Sequence, residues 1–364
     1  MHTTTYGFIG LGLIGGSIAR GLKRADQNTK IMAYMRTWSK LEQAMEDGTI
    51  DEILDGIDEK LMECDIIFLC TPVEYNASYL EQVRPFLKPG AILTDVGSTK
   101  TNIHKLVKDM DMEHVFVGGH PMAGSEKTGY ENSTDHLLEN AYYIISPTSK
   151  NTPEQIERMR QIVLSLRALP LILNYEEHDF SVAAISHLPH LIASSLVKLV
   201  KDNDSESEIM KQIAAGGFKD ITRIASSSPV MWEQICMTNT DNLKILMRRY
   251  IDSLESIYND LNEHNGSAIY RLFEESGKYR DSFSSRNRGP VIPDHSFSVD
   301  VIDEPGSIAI LSAILASRGI NVQNIGINHA RDYGEGALRI SFYSEETKMQ
   351  AAELLKKYNY NLTR

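Results

Sequence analysis

The stretch at residues 118–129 reads GGHPMAGSEKTG and holds a histidine among glycines, with few bulky apolar residues to pack. An imidazole that is neutral near pH 7 can accept or share a hydroxyl proton. The oxidation of an alcohol needs such a group, because the hydroxyl loses its proton while a hydride leaves. His120 is therefore a candidate catalytic residue. Ser98, in the stretch DVGSTK (95–100), is a second candidate, able to orient the imidazole or the substrate oxygen.

Two further motifs lie in a helical part of the chain. In SHLPH, His187 and His190 are three residues apart, so one helical face can present both. No HxxxH spacing and no third ligand accompany them, so no metal is expected. For either histidine alone, a half-buried structural role is the more common outcome. In AAGGFKDITRIA (214–225), Arg223 offers a fork for a carboxylate, although a lone arginine is more often a surface or salt-bridge residue.

The loop GLGLIGG (10–16) follows the first apolar run and opens a helix. In this GxGxxG spacing, Gly10 permits a tight turn, Gly12 lets the backbone approach a pyrophosphate, and Gly15 lets the helix pack on the strand. The helix N-terminus then offers N–H groups to the phosphates. At the first strand–helix turn of an α/β series, the motif predicts a dinucleotide site. The candidate cofactor-binding residues are Gly10, Gly12, Leu13, Ile14, Gly15, Arg36, Thr71 and Pro72.

The predicted cofactor is NAD, with NADP possible. An NAD site usually has an acidic residue about twenty positions after the loop, which binds the ribose hydroxyls. Here Met35 and Arg36 occupy that region. Arg36 can stack on adenine and bind a 2′-phosphate, which favours NADP or a relaxed choice. A solvated arginine at a strand end is an equally good interpretation.

Three domains and a linker are predicted to position these groups. Short apolar runs alternate with amphipathic stretches over residues 1–174, which is typical of a Rossmann-type doubly wound α/β sheet, with ligands at the carboxyl ends of its strands. Residues 175–282 contain only helical runs and are predicted to form an all-helical substrate and dimerisation domain. Ser, Arg, Gly and Pro concentrate in a linker at 283–295. Residues 296–364 follow the order βαββαβ, the ferredoxin-like arrangement.

The composition excludes several classes of protein. The 364 residues carry a formal net charge of −12, which disfavours nucleic acid and anionic membranes as partners. The N-terminus does not read as a signal peptide, and no apolar run is expected to reach the length of a membrane span. The three cysteines are scattered without a CxxC pair. They predict a cytoplasmic, reducing location without disulfides or a thiolate metal site.

Together these motifs resemble the prephenate dehydrogenase family of tyrosine biosynthesis. The resemblance rests on GLGLIGGS, DVGSTK, GGHPMAGSEKTG, SHLPH and GGFKDITRIASSSPVMW, in that order, over residues 6–280. The C-terminal segment, with DEPG (303–306) between a strand and a helix, is similar to an ACT domain, a small-molecule regulatory module. The family's reaction is the oxidative decarboxylation of prephenate to 4-hydroxyphenylpyruvate with hydride transfer to NAD(P). Aromatisation makes that step effectively irreversible.

The resemblance implies roles for individual residues. His120 would hydrogen-bond the ring hydroxyl and promote hydride transfer, assisted by Ser98. His190 would help to bind the substrate, and Arg223 would hold a substrate carboxylate. Glu126 is similar to a family residue that gates the site through a charge network. The other implied substrate-site residues are Gly216, Asp220 and Trp232.

The ACT-like segment implies a homodimer with tyrosine as feedback inhibitor, bound between subunits; a purely structural dimer contact is the alternative. The implied effector residues are Asp303, Pro305, Gly306, Asn321 and Asn324. Two other functions stay open. One is an arogenate dehydrogenase, whose substrate has an amino group in place of the side-chain ketone. The other is a non-catalytic nucleotide and amino-acid sensor. A sensor needs only the glycine loop, so the presence of Ser98, His120, His190 and Arg223 argues against it.

Overall fold

The computed structural model describes residues 4–124, 127–286, 295–302, 304–331 and 335–363. The chain divides into two compact units, Met1–Ile269 and Tyr270–Arg364. Two of the predicted site residues, Glu126 and Asp303, lie outside the described residues. Of the predicted linker, only His295 and the first four residues are described, and those four continue a helix that ends at Arg286.

The described residues of the first unit form eight strands. Seven of them overlap the apolar runs that predicted them, and the third was not predicted because two residues are too short to form a run. The strands are β1 (Thr5–Ile9), β2 (Lys30–Tyr34), β3 (Glu52–Ile53), β4 (Ile66–Leu69), β5 (Ile92–Asp95), β6 (Val117–Pro121), β7 (Tyr142–Pro147) and β8 (Leu169–Ile172).

The first five strands form a parallel sheet in the order β3-β2-β1-β4-β5. Strands β6, β7 and β8 form a second sheet, joined to β5 by a parallel bridge between Leu93 and Phe116. β6 and β7 are antiparallel, so this part of the α/β domain departs from the parallel arrangement of β1 to β5. A parallel pair needs a crossover helix, and the described part of the β6–β7 connection has only a 3₁₀ turn at Tyr130–Asn132.

Helices cover both faces of this sheet. In β4, Ile66 and Phe68 point into one apolar cluster, whereas Ile67 and Leu69 point into the other. Alternate residues of a strand face opposite sides of a sheet, so this pattern confirms the doubly wound prediction for the parallel part. The helices are α1 (Leu13–Ala25), α2 (Trp38–Glu46), α3 (Asn76–Val83), α4 (Thr101–Asp109) and α5 (Pro153–Ser165).

From residue 175 onwards the strands end, as predicted, and helices follow. Residues 209–226 form two short helices and a 3₁₀ turn, and the helical stretch of residues 229–262 breaks at Asn239. The helices are α6 (Tyr175–Val182), α7 (Leu188–Asn203), α8 (Ile209–Ile213), α9 (Gly216–Thr222), α10 (Pro229–Thr238), α11 (Thr240–Asn262) and α12 (Gly266–Arg286).

Helices α6 and α7 are joined by one π turn, Ala183–His187, into a continuous helix of 29 residues. Its most apolar 18 residues have a mean hydropathy of 1.4, which suffices by length and composition for a membrane span. The expectation that no apolar run has that length is therefore wrong. Only 28% of that stretch is buried, whereas His178 and Asp179 near the start of the helix are fully buried and their partners lie in the α/β part.

The second unit has the predicted order βαββαβ. Its sheet runs β10-β11-β9-β12, and all neighbouring strands are antiparallel. Both helices contribute to the apolar core of the unit, with Leu311 and Leu355 packed near Leu338 of the sheet. The elements are β9 (Ser296–Ile302), α13 (Ser307–Ala316), β10 (Val322–Arg331), β11 (Glu335–Phe342), α14 (Glu345–Lys357) and β12 (Leu362–Thr363).

Candidate active site

His120 lies on β6, and a second histidine holds its ring. Nδ1 of His120 is 2.8 Å from Nε2 of His178 on α6. Nδ1 of His178 is in turn 2.7 Å from Oδ1 of Asp179. His178 and Asp179 are fully buried, whereas His120 is half-buried. The three side chains therefore form one chain of hydrogen bonds that runs from the interior to the end of β6.

Asp179 is anchored at the N-terminus of α4. Its Oδ1 accepts the backbone N–H of Lys100 at 2.7 Å, and its Oδ2 accepts that of Thr101 at 2.8 Å. Burial alone would raise the pKa of Asp179. The hydrogen bonds from His178 and from the start of α4 outweigh burial and leave the pKa of this carboxyl below its ordinary value. Asp179 is thus ionised at neutral pH and acts only as an acceptor.

The pKa of His120 lies well below its ordinary value. Burial of the ring is the largest cause, and positive charge on His178 or Lys100 would act in the same direction. His120 is consequently neutral at pH 7 and can accept a proton there.

The glycines that precede His120 let β6 pack closely on its surroundings. A Cβ at Gly119 would lie 2.6 Å from the carbonyl oxygen of Asp95, and one at Gly118 would lie 2.8 Å from Nε2 of His104. The Gly119 N–H donates to Oδ1 of Asp95 at 3.1 Å. Asp95 also forms a buried ion pair with Lys100. The strand that carries His120 is thereby fixed against β5.

Ser98 lies in the loop between β5 and α4, half-buried, three residues after Asp95. It was predicted to orient either the imidazole or the substrate oxygen. Nδ1 of His120 bonds to His178, so Ser98 does not hold the ring at that atom. Orientation of the substrate oxygen by Ser98 stays a prediction.

The π turn brings His178 and His190 onto one side of the long helix. The two residues are twelve positions apart, which in a regular α-helix separates them by about 120° around the axis. One π turn takes up one further residue and reduces that angle to about 20°. Pro189 gives a local reason for the turn, because its ring lacks an N–H and crowds the carbonyl of Ile185. His190 therefore lies on the side of the helix that carries the His120 partner.

His190 lines a cavity of about 180 Å³ in the helical part. Its Nδ1 donates to the Ser186 carbonyl at 2.9 Å, and its ring stacks on Trp232 with centroids 3.6 Å apart. Burial lowers the pKa of His190, and the charge of Arg223 lowers it further, against the effect of the Ser186 carbonyl. The other lining residues are Leu191, Ser194, Ile224, Ala225, Ser227, Pro229 and Cys236.

The cavity also contains a polar group without a protein partner. Nε1 of Trp232 is buried and makes no hydrogen bond within the described residues. Arg223 begins an exposed 3₁₀ turn beside the cavity, whose lining starts at its neighbour Ile224. Gly216 and Asp220 lie on the exposed helix α9. The structure thus brings His190 and Trp232 together and leaves Gly216 and Asp220 outside the cavity lining.

A second cavity, of about 210 Å³, lies over the glycine loop. The N-terminus of α1 has no side-chain cap, and a Cβ at Gly12 would have no atom within 4 Å. A Cβ at Gly15 would lie 2.7 Å from the Gly10 carbonyl oxygen. The buried Thr71 hydroxyl has no partner among the described residues. Free N–H groups, open space and an unpaired hydroxyl fit the phosphates of a dinucleotide.

Five of the eight predicted cofactor residues line this cavity, whereas Leu13, Ile14 and Gly15 form the first turn of α1 and do not. The guanidinium of Arg36 lies 4.9 Å from the ring centroid of Tyr75, across the mouth of the loop. The lining residues are Gly10, Leu11, Gly12, Met35, Arg36, Thr37, Cys70, Thr71, Pro72, Tyr75 and Tyr79.

Comparison with known proteins decides the family. Residues 18–169 match the prephenate dehydrogenase nucleotide-binding domain, and residues 174–275 match the prephenate dehydrogenase dimerization domain. The prephenate dehydrogenase of Bacillus subtilis (strain 168) is 34% identical over 95% of this chain and 94% of its own length. That of Lactococcus lactis subsp. cremoris (strain MG1363) is 34% identical over 96% of each chain. The chain belongs to the prephenate dehydrogenase family.

Solved structures of relatives have the same architecture. A prephenate dehydrogenase from A. aeolicus, in complex with hydroxyphenyl propionate and NAD+, is 28% identical, with a TM-score of 0.73 over 78% of this chain and 99% of that chain. Synechocystis arogenate dehydrogenase is 30% identical, with a TM-score of 0.70 over 77% of this chain and 100% of that chain. This prephenate dehydrogenase-family chain is an NAD-dependent oxidoreductase with a Rossmann-like domain and a helical dimerisation domain.

Sequence reasoning missed the residues that hold this enzyme's His120. His178 and Asp179 are adjacent in YEEHDF, a stretch without a motif, and no spacing rule connects them to residue 120. Lys100 and Asp95 were quoted only as neighbours of Ser98. The one sequence signal of their ion pair was that the acidic Asp95 and the basic Lys100 are five residues apart at the end of an apolar run.

Proposed function

We propose that this enzyme catalyses the oxidative decarboxylation of prephenate to 4-hydroxyphenylpyruvate. The observation that carries the proposal is that the structure has both a neutral, carboxylate-backed His120 and a cavity of about 180 Å³ lined by His190 and Trp232. An acceptor for the ring hydroxyl proton and a binding surface for an aromatic-like ring are both needed for that reaction.

Each residue has one task in this proposal. His120 accepts the ring hydroxyl proton, and Ser98 orients the hydroxyl oxygen. His190 offers Nε2 as a hydrogen-bond acceptor, and the charge of Arg223 holds a carboxylate. Glu126 gates the entrance. When bound, NAD accepts the hydride.

A steady-state assay with purified protein tests the substrate. Prephenate and arogenate are each combined with NAD and with NADP, and cofactor reduction is recorded. We expect a kcat/KM for prephenate at least tenfold above that for arogenate. A preference for arogenate would assign the other substrate, and no reduction with either compound would leave a non-catalytic sensor as the function.

The same assay tests the cofactor preference. We propose that NAD is used and that Arg36 also admits NADP, because the position after β2 carries no acid to repel a 2′-phosphate. Arg36 already contacts the Tyr75 ring, so it is held near the cavity mouth. Arg36→Ala is expected to lower kcat/KM for NADP more than for NAD. An equal loss with both cofactors would reject phosphate binding by Arg36.

We infer a homodimer formed through the helical part, residues 175–282. Large apolar side chains are exposed there in the single chain, more than a lone soluble surface usually shows. They include Ile185, Leu199, Ile213, Val230 and Met237. Light scattering on the purified protein should give a mass of two chains, and a monomer at micromolar concentration would reject the dimer. We also propose a cytoplasmic location, in keeping with three free cysteines.

We propose that residues 296–364 act as an ACT domain that binds tyrosine. Pro305 and Gly306 follow β9 at the start of α13, and Gly306 has a φ of +97°, which favours glycine. Asn321 and Asn324 lie at the start of β10 and are exposed. These two segments would provide opposite sides of an amino-acid site.

The strand register indicates that one chain cannot supply both sides. At one end of the sheet, Ile302 of β9 pairs with Glu335, which pairs with Arg331. At the other end, Val322 of β10 pairs with Phe342. The two segments are therefore at opposite ends of the sheet within one chain. β10 is an edge strand, and antiparallel pairing of β10 from two chains would bring the segments together.

Tyrosine titration tests this regulation. Tyrosine should inhibit prephenate turnover and raise Tm, since a ligand that binds the native state stabilises it. Asn324→Ala should weaken both effects and leave uninhibited turnover unchanged. If tyrosine alters neither activity nor Tm, the ACT assignment for this effector is wrong.

A further inference from the structure

The donors and acceptors of the buried chain Asp179–His178–His120 can be assigned from Asp179 outwards. The Asp179 carboxylate only accepts, and Oδ1 already receives the Lys100 N–H. His178 must therefore carry its proton on Nδ1, which donates to Asp179 at 2.7 Å. With its single ring proton on Nδ1, His178 has a lone pair on Nε2. This lone pair accepts the Nδ1–H of His120 at 2.8 Å.

Only one tautomer of His120 is compatible with this order. Its proton lies on Nδ1, and Nε2 is left as the lone pair that can face a substrate hydroxyl. We propose that His178 and Asp179 are positioning residues that fix His120 in this proton-accepting tautomer and stabilise it once it is protonated. This inference rests on the proposed function in one respect only, namely that the proton comes from the ring hydroxyl of prephenate.

The charges around these three side chains support the proposal that His178 and Asp179 stabilise protonated His120. Lys100 and Asp95 form a buried pair and neutralise each other. Asp179 is a buried carboxylate that accepts the backbone N–H groups of Lys100 and Thr101, and no lysine or arginine pairs with it within the described residues. The charge of protonated His120 would be balanced by Asp179 through His178. The proton stays on Nε2 of His120, since Nε2 of His178 need only accept a hydrogen bond.

Neighbouring polar groups do not impose a different assignment of donor and acceptor on the ring nitrogens of His178. His187 lies nearby, and its Nδ1 is 3.2 Å from Nδ2 of Asn239. The same Asn239 amide donates to the Asp179 carbonyl at 2.7 Å. Burial lowers the pKa of His187 to about 4, so it is neutral when the enzyme works. The amide therefore fixes His187 as an acceptor and adds no positive charge beside His178.

Two replacements of His178 separate its two contacts. Glutamine can place an oxygen where Nε2 was, which keeps an acceptor for His120 and loses the bond to Asp179. Asparagine can place an N–H where Nδ1 was, which keeps the bond to Asp179 and loses the acceptor. A residue that only stabilises the fold through Asp179 should tolerate asparagine better. A residue that acts through His120 should tolerate glutamine better.

We expect H178Q to lower kcat about 10-fold and H178N about 100- to 1,000-fold, with KM for prephenate within threefold in both. The acid limb of the kcat/KM profile should move to lower pH in H178Q, because less negative charge reaches protonated His120. Greater activity of H178N than H178Q, equal activity of both, or a loss confined to KM would overturn the proposal. Thermal unfolding of both variants controls for folding.

A direct measurement of the tautomer does not depend on turnover. Imidazole ¹⁵N spectra of the full-length enzyme, with His120 assigned through the H120N variant, should show Nδ1 protonated and Nε2 bare between pH 6 and 8. The reverse tautomer would refute the inference even if the variants failed to fold. Loss of the proposed function, with no turnover of prephenate or arogenate, would leave this test intact.

Discussion

His120 and His190 are two half-buried histidines that are held in different ways. Both are neutral at pH 7, because burial lowers the pKa of each, and both have Nδ1 occupied. Behind His120 the chain of hydrogen bonds ends on the ionised Asp179. Behind His190 it ends on a neutral backbone carbonyl, that of Ser186. A carboxylate suits a group whose charge changes during the reaction, whereas a carbonyl suffices for a group that only binds.

The largest expected effect is at His120. His120→Asn should lower kcat by about 10³-fold with little change in the KM for prephenate, because the proton acceptor is lost while the binding residues remain. Steady-state kinetics measure both constants. A kcat within a few-fold of the parent enzyme would remove His120 from the reaction and with it the contrast to His190.

Arg223→Ala should come next and should act on binding. A charged hydrogen bond to a carboxylate contributes about 1.5–3 kcal/mol, so the KM for prephenate should rise by roughly 10- to 100-fold. Arg223→Lys is the matched control, which keeps the charge and loses the bidentate fork. Its KM for prephenate should lie between that of the parent enzyme and that of the alanine variant. Unchanged KM in the alanine variant would reject carboxylate binding at this position.

His190→Asn should have a smaller effect than either. It removes one neutral hydrogen-bond acceptor and part of the stack on Trp232, so we expect KM to rise about 5- to 10-fold and kcat to change less than threefold. A loss of kcat as large as that of His120→Asn would show that the two histidines share one role.

The last expected effect is on stability and not on turnover, and it concerns a histidine that is buried without such a partner. His104 packs on Tyr175, and its Nε2 makes no hydrogen bond within the described residues. Burial lowers its pKa to about 4. The folded pKa is below the unfolded value near 6.5, so the unfolded chain binds the proton first as pH falls. This contribution to stability is full above pH 6.5 and declines down to about pH 4, by at most about 3 kcal/mol.

His104→Phe tests whether His104 makes the folded protein less stable as the pH falls. The variant should show a decrease in Tm between pH 7 and pH 4.5 that is several degrees smaller than that of the parent enzyme. Circular dichroism melts at both pH values measure it, and His187 still contributes in the variant, because burial lowers its pKa to about 4 as well. An unchanged pH dependence would show that His104 is protonated in the folded state.

The α/β fold was predictable because its strands and its first strand–helix turn have local sequence patterns. Seven apolar runs marked seven strands, and the glycine loop marked the first strand–helix turn. The reversed β6–β7 pair was not predictable from those runs, since strand direction depends on whether the connection contains a helix. The π turn was equally hidden, because a helix with one extra residue has nearly the same apolar pattern as a regular one.

The candidate site was predictable where a residue belongs to a motif and not where it only supports one. His120, His190 and the glycines were named from sequence, and the structure places His190 beside Trp232 in one cavity. His178 and Asp179 lie 58 and 59 positions after His120 and carry no signature of their own. Contacts between distant segments follow from packing, which a single sequence does not display.

The π turn at Ala183–His187 has a consequence for how this enzyme can change. Removal of one codon within it would restore a regular helix and turn His190 away from the side of His178 by about 100°. The shortened chain would be expected to fold and to keep its dinucleotide cavity. A frame-preserving deletion of three nucleotides would thus move the proposed substrate-binding His190 and leave the hydrogen bonds behind His120 in place, a route by which an enzyme of this family could change its substrate.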